Sequence, residues 1–323
     1  MNNSTTEQPS SMVDGPLFVS MIVINTFSGV LATILNLLII VTFVKTPSLR
    51  TAPNILILSL AITDFSVGVL VQPVHCTFLF SHMTNNTAVY ESVFEVLNPI
   101  LVILILASIL TITAITVDRF LAVHLHLRYQ ELVTKKRISI VVIMIWTFSV
   151  LWTCLLLLLT KMTIVIVHID NFLFLSLLLM NIALVLKISC VIRQHAAQIQ
   201  VQQQAMNAQP GAAGNIKRSV NIMYYVLGTF CICYSPHTCV WIMKAFMPKL
   251  IKGLTALTMV NTILMLNSSI NPIIYFWRIP DMRNAALQLL RCFRRNDNHR
   301  NSNNDANANA DNNVNHNNNN FRL

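Results

Sequence analysis

The chain has 323 residues, of which 54% are hydrophobic and only 11% are Asp, Glu, Lys or Arg. A soluble protein carries about 25% charged residues, roughly 80 at this length; this one has 22 basic and 12 acidic side chains, too few for a water-facing surface. With only 7 Gly and a preponderance of Leu, Ile, Val and Phe, collagen-like and disordered chains are excluded too, and a polytopic membrane protein is left.

Residues 1–16 are polar and lack Lys and Arg. Apolar stretches long enough to cross about 30 Å of hydrocarbon, roughly 20 residues each, follow at 17–44, 53–80, 92–123, 138–160, 163–186, 219–246 and 251–277. The first is longer than a signal-peptide core and has no basic segment before it. The predicted fold is therefore an all-α membrane protein, a seven-transmembrane helix bundle over 17–277. Residues 194–215, rich in Gln and Ala with Pro210, Gly211 and Gly214, predict a flexible loop between the fifth and sixth helices. Beyond Pro280, the spacing of Met282, Ala286, Leu289, Leu290 and Phe293 predicts a short amphipathic helix 8 within 278–295, lying on the inner leaflet. Cys292 near its end is a candidate for palmitoylation. Residues 296–323 are dominated by Asn and predict a disordered tail.

The formal net charge of +10 would suggest nucleic acid as a partner for a soluble domain. Here the basic residues lie between apolar stretches, so topology explains them and no nucleic-acid partner is expected. With the N-terminus outside, every Lys and Arg falls on the cytoplasmic side except Lys161, Lys244, Lys249 and Lys252. This bias places the N-terminus outside the cell and the C-terminus inside, for a multi-pass protein of the plasma membrane in contact with its lipids. Asn2, Asn3 and Asn85 then begin outward-facing glycosylation sequons. The seven cysteines show neither C-x-x-C nor Cys/His metal spacing, so neither a zinc site nor a disulfide framework is predicted.

Polar groups at membrane depth are costly and call for a reason. Asn36 lies in the first stretch, Asp64 in the second and Ser108 in the third; the seventh carries Asn267, Ser268 and Asn271. The third stretch ends in Asp118-Arg119-Phe120 and the fourth holds Trp146. The sixth contains Phe230 and Cys233-Tyr234-Ser235-Pro236, and the seventh Asn271-Pro272-Ile273-Ile274-Tyr275. Pro236 and Pro272 each remove a backbone hydrogen bond and should bend their helices. Singly, each group reads as an interhelical hydrogen bond or an interfacial ion pair.

In this order and at these depths, the set resembles the rhodopsin-like family of G-protein-coupled receptors over nearly the whole chain to Arg295. The stretch DRFLAVHLHLRYQELVT and the short fourth-to-fifth link are most similar to the melanocortin/adenosine-like group. The resemblance implies an extracellular ligand and a heterotrimeric G protein as partners, and a receptor rather than an enzyme. It implies that Arg119, next to Asp118, contacts the G protein when helix six swings outward about Pro236. It implies also that Phe230, Tyr234, Asn271, Pro272 and Tyr275 belong to the activation switch. Asp64, Ser108, Asn267 and Asn271 match the family's allosteric sodium site, with Asp64 as the metal carboxylate and Asn36 beside it. No other cofactor is expected. A hard cation suits a buried carboxylate among hydroxyl and amide oxygens.

The departures are specific. Tyr234 replaces the usual Trp of helix six, Phe94 stands where a disulfide cysteine is common, and helix five has no Pro or Tyr between 163 and 193. Leu101 replaces an amine-binding Asp, Met265 a retinal-binding Lys and Trp241 an adenosine-contacting Asn. Val74, Phe94 and Asn98 replace the acidic residues that melanocortin receptors present to their peptide. The candidate ligand pocket is His75, Glu95, Asn98, His237 and Trp241, in a largely apolar setting. In many family members an acid at the start of helix six restrains the Arg; the matching place is Ile216, and no Asp or Glu occurs between Asp170 and Asp281. Ligand-free signalling is therefore expected. The alternatives are a non-signalling homologue that pairs with another receptor, and a seven-helix membrane hydrolase, which would need several His and Asp at membrane depth.

Overall fold

The structure is a computed structural model that describes residues 11–125, 128–159, 163–206, 212–247 and 254–292. Seven of its helices are long and apolar enough to cross a membrane. They are α1 (Ser11–Lys45), α2 (Ala52–Met83), α3 (Thr87–Leu125), α4 (Lys135–Leu159), α5 (Thr163–Met206), α6 (Ala212–Phe246) and α7 (Leu254–Arg278). An eighth, α8, spans 280–292. The predicted seven-helix bundle is thus the observed one, and among the described residues no strand occurs.

Two expectations need correction. The predicted loop 194–215 is helix up to Met206 and again from Ala212; Ala and Gln are good helix formers, and a polar run rich in them extends a helix already nucleated in the membrane. The Pro210-Gly211 break lies outside the described residues. The polar N-terminal segment likewise yields to α1, which begins at Ser11 rather than 17. Asn2, Asn3, Phe293 and the tail 296–323 also lie outside the described residues.

Helices hold together through an apolar core that includes Leu60, Leu79, Leu106, Ile109, Phe230 and Met265, and through buried polar stitches. Asn36 donates to the Ser268 carbonyl at 3.0 Å, joining α1 to α7. Trp146 donates to Ser59 Oγ at 3.2 Å, and Ser59 lies 3.5 Å from Thr111 Oγ1, joining α4, α2 and α3. Asn181 donates to Thr113 Oγ1 at 2.7 Å, tying α5 to α3. In a bilayer such bonds contribute about 0.6 kcal/mol each on average. In α8, Met282 and Ala286 are buried while Leu287, Leu290 and Cys292 are exposed. The amphipathic pattern therefore packs one edge on the bundle and leaves another uncovered.

Candidate functional site

Three polar regions lie along the bundle. At one end, Arg119 and Asp118 form an ion pair of 2.6 Å on the last turns of α3. The second Asp118 oxygen accepts a 2.7 Å hydrogen bond from the Tyr129 hydroxyl, in the short helical turn Tyr129–Leu132. Burial and the Asp118 carboxylate it bonds push the Tyr129 phenol up, so it remains a donor. The pair lines a crevice of about 150 Å³ with Ile57, Val226, Tyr275 and Ile279, contributed by α2, α6 and the end of α7. Tyr275 is buried and its hydroxyl has no hydrogen-bond partner. The structure thus brings Tyr275 to the same crevice as Asp118 and Arg119, from which the sequence separates it by more than 150 positions.

Midway along the bundle, Asp64 Oδ2 accepts a 2.9 Å hydrogen bond from the Asn271 amide. Asp64, Ser108, Thr63, Ser268 and Tyr234 line a cavity of about 10 Å³, the room of about one water-sized particle. Ser108 Oγ, Asn271 Oδ1 and Asn267 Oδ1 are buried without partners. Ser268, rather than Asn267, faces the cavity with Asp64; neighbouring positions on α7 differ by about 100° in direction, which a motif read along the sequence leaves open. Tyr234 also stacks on Phe230, with ring centres 3.8 Å apart, and on Phe174 of α5 at 5.7 Å. Pro236 and Pro272 both sit inside continuous helices.

Toward the opposite end, Trp241 donates to His237 Nε2 at 3.0 Å, and Lys244 Nζ lies 5.0 Å from the Trp241 ring centre. His75 is buried, with Nε2 lacking a partner, and stacks at 6.0 Å on Phe78. Glu95 and Asn98 are exposed on α3. A polar group absent from the candidate ligand set lies nearby. Asn25 donates to Thr262 Oγ1 at 2.9 Å and Gln72 to Ser28 Oγ at 2.7 Å, linking α1 to α7 and α2. All four side chains interrupt apolar runs, and that interruption was their sequence signal. Asn85 is exposed in the α2–α3 turn with φ 52°, in the left-handed region that Asn tolerates. Among the described residues no three His, Cys, Asp or Glu side chains gather into a metal-binding group.

Bundle and sites together describe a multi-pass heptahelical membrane receptor. The chain matches the description "7 transmembrane receptor (rhodopsin family)" over residues 35–275, well over half its length, and it belongs to that family. It is similar to melanocortin receptor 4 of Danio rerio, 27% identical over 276 residues covering 82% of each chain. It is similar also to melanocortin receptor 5 of Rattus norvegicus, 25% identical over 83% of each chain. A third relative, G-protein coupled receptor 3 of Homo sapiens, is 28% identical over 81% of this chain and 80% of its own. This is a family of receptors, not of enzymes.

Proposed function

We propose that the protein binds an extracellular ligand and activates a heterotrimeric G protein through outward movement of α6, with the Asp118–Arg119 end in the cytoplasm. The observation that carries this reading is the ion pair at the crevice, whose far walls are Val226 on α6 and Tyr275 on α7. Displacing α6 widens the crevice and removes one wall from Arg119, so a partner can reach the guanidinium without disturbing the core of α1 to α4. The basic residues on the same side support the orientation. The Asn85 turn supports glycosylation on the other side, and exposed Cys292 on α8 supports acylation at the inner leaflet.

Arg119→Ala is expected to abolish coupling at near-normal surface level, measured by second-messenger output against every G-protein class. Undiminished output in the variant would overturn the assignment of Arg119. Wild-type output that is absent both alone and with a ligand library would favour the non-signalling homologue.

A sodium ion fits the middle cavity. Asp64, Ser108 and Ser268 would hold it, with Asn271 keeping the carboxylate in place. Bound there, the ion would neutralise a buried charge and give the partnerless Ser108 oxygen a role.

A further inference from the structure

Tyr225, Trp277 and Arg278 make a three-way contact where α6 meets the end of α7. The Arg278 guanidinium carbon lies 4.2 Å from the centre of the Tyr225 ring and 3.9 Å from that of Trp277. The two rings meet edge to face, 5.4 Å apart at 62°. A cation over an aromatic face is held by the ring quadrupole. Trp277 and Arg278 are neighbours on α7, so their contact fixes the guanidinium in place, whereas both contacts to Tyr225 cross between helices. The cluster borders the crevice directly, since Val226, next to Tyr225 on α6, and Ile279, the residue just past the end of α7, line it. On the other side of α6, the Tyr224 hydroxyl is hydrogen-bonded to Ser189 of α5.

The sequence sharpens the point. No Asp or Glu lies between Asp170 and Asp281, a segment that includes all of α6 and α7 and most of α5. No carboxylate on α6 can therefore restrain Arg119, nor can one pair with Arg278 across the α6–α7 contact. Arg278 turns to two rings instead.

We propose that the Tyr225–Arg278–Trp277 cluster is the latch that holds α6 against α7 in the resting receptor, in place of the acid missing from α6. The proposal rests on the reading that α6 moves outward in activation. Such movement parts the Tyr225 ring from the guanidinium, so the contact belongs to the closed state alone and biases the balance toward it. Loss of one partly exposed cation–π contact corresponds to roughly a two- to fivefold change in that balance.

Two readouts test this in the full-length receptor without ligand. One is second-messenger output at matched surface expression. The other is the distance distribution between spin labels placed on noncanonical residues at Lys136 in α4 and Lys217 in α6, which needs no G protein. Arg278→Ala and Tyr225→Leu should each raise basal output about two- to fivefold and populate longer distances. The double variant should exceed neither single, Tyr225→Phe should match wild type because it keeps the ring, and Arg278→Lys should retain part of the latch. Unchanged distances in both single variants, additive effects in the double, or a Tyr225→Phe effect equal to Tyr225→Leu would each overturn the latch. If no variant and not even wild type produces second messenger, the coupling reading fails, and the label distances still decide the latch. Should Arg278→Ala fail to reach the surface, Tyr225→Leu and Arg278→Lys carry the same comparison.

Discussion

Asp118 has two carboxylate oxygens and two partners, and the second partner sets a testable condition on the first. Arg119 takes one oxygen at 2.6 Å and Tyr129 donates to the other at 2.7 Å. Hydrogen bonds to a charged group contribute about 1.5–3 kcal/mol when buried, less when water can reach them, and Tyr129 is half-buried. Tyr129→Phe should therefore lower the stability of detergent-solubilised receptor by about 1 kcal/mol, read as thermal unfolding. The phenol is pushed up from the ordinary tyrosine value. A raised folded-state value adds stability that is complete below about pH 10 and fades as the pH rises toward the higher folded value. The gap between wild type and Tyr129→Phe should accordingly narrow above about pH 10, and a gap that stays constant there would contradict the bond. At this scale the sequence was informative wherever a polar residue broke an apolar run, as at Asp64 and Asn271. It was silent on Tyr129, because a tyrosine in a polar connection has no contrast with its surroundings, and on Arg278, which reads there as one more basic residue.

Among elements, α2 is not a regular rod. Residues Val67–Val71 form a π-helical turn between two α-helical segments, and there α2 presses against α1. A Cβ on Gly68 would lie 2.7 Å from Thr33 Oγ1, 2.9 Å from the Gly29 carbonyl oxygen and 3.0 Å from the Thr33 backbone nitrogen. Two of these are backbone atoms that cannot turn away. A Cβ on Gly29 would meet Gln72 Oε1, the far end of a side chain, at 2.9 Å, and Gln72 Cβ and the Gly68 carbonyl oxygen only at 3.3 and 3.4 Å. Overpacking of this kind costs about 1–3 kcal/mol. Gly68→Ala should lower thermal stability and surface expression by that order, and Gly29→Ala clearly less; equal effects would mean that the α1–α2 contact yields as one body. The apolar length of each helix was legible, because about 30 Å of hydrocarbon demands it whatever the partners. The bulge was not read, although Gly68 lies within it and Pro73, just after it, has no N–H to give the Val69 carbonyl. Nor were the ends of α5 and α6, where helix propensity prevailed over polarity up to Met206 and again from Ala212.

At the scale of the whole molecule, the helix count follows from composition, but which helices touch depends on side-chain contacts that no single stretch contains. The convergence of α2, α3, α6 and α7 on one small cavity is such a case: Asp64, Ser108, Tyr234 and Ser268 line it together. The family resemblance supplied Asp64, Ser108 and the polar run of α7, and the packing adds Ser268 to the lining. A ligand that binds only this closed arrangement stabilises it by RT ln(1 + [L]/Kd), about 1.4 kcal/mol at ten times Kd. For a protein of this size that is a rise of a few degrees in unfolding temperature, roughly 2–4 °C per kcal/mol. Receptor in sodium chloride should therefore unfold at higher temperature than in equimolar choline chloride. The difference should vanish in Asp64→Asn, which keeps the shape of the side chain but not its charge, and shrink in Ser108→Ala. The same preference must appear in function, because an ion that favours the closed state lowers the population of the open one by the same coupling. Basal second-messenger output should thus fall as sodium replaces choline in wild type and stay level in Asp64→Asn. A thermal shift of equal size in Asp64→Asn would place the sodium effect elsewhere on the receptor.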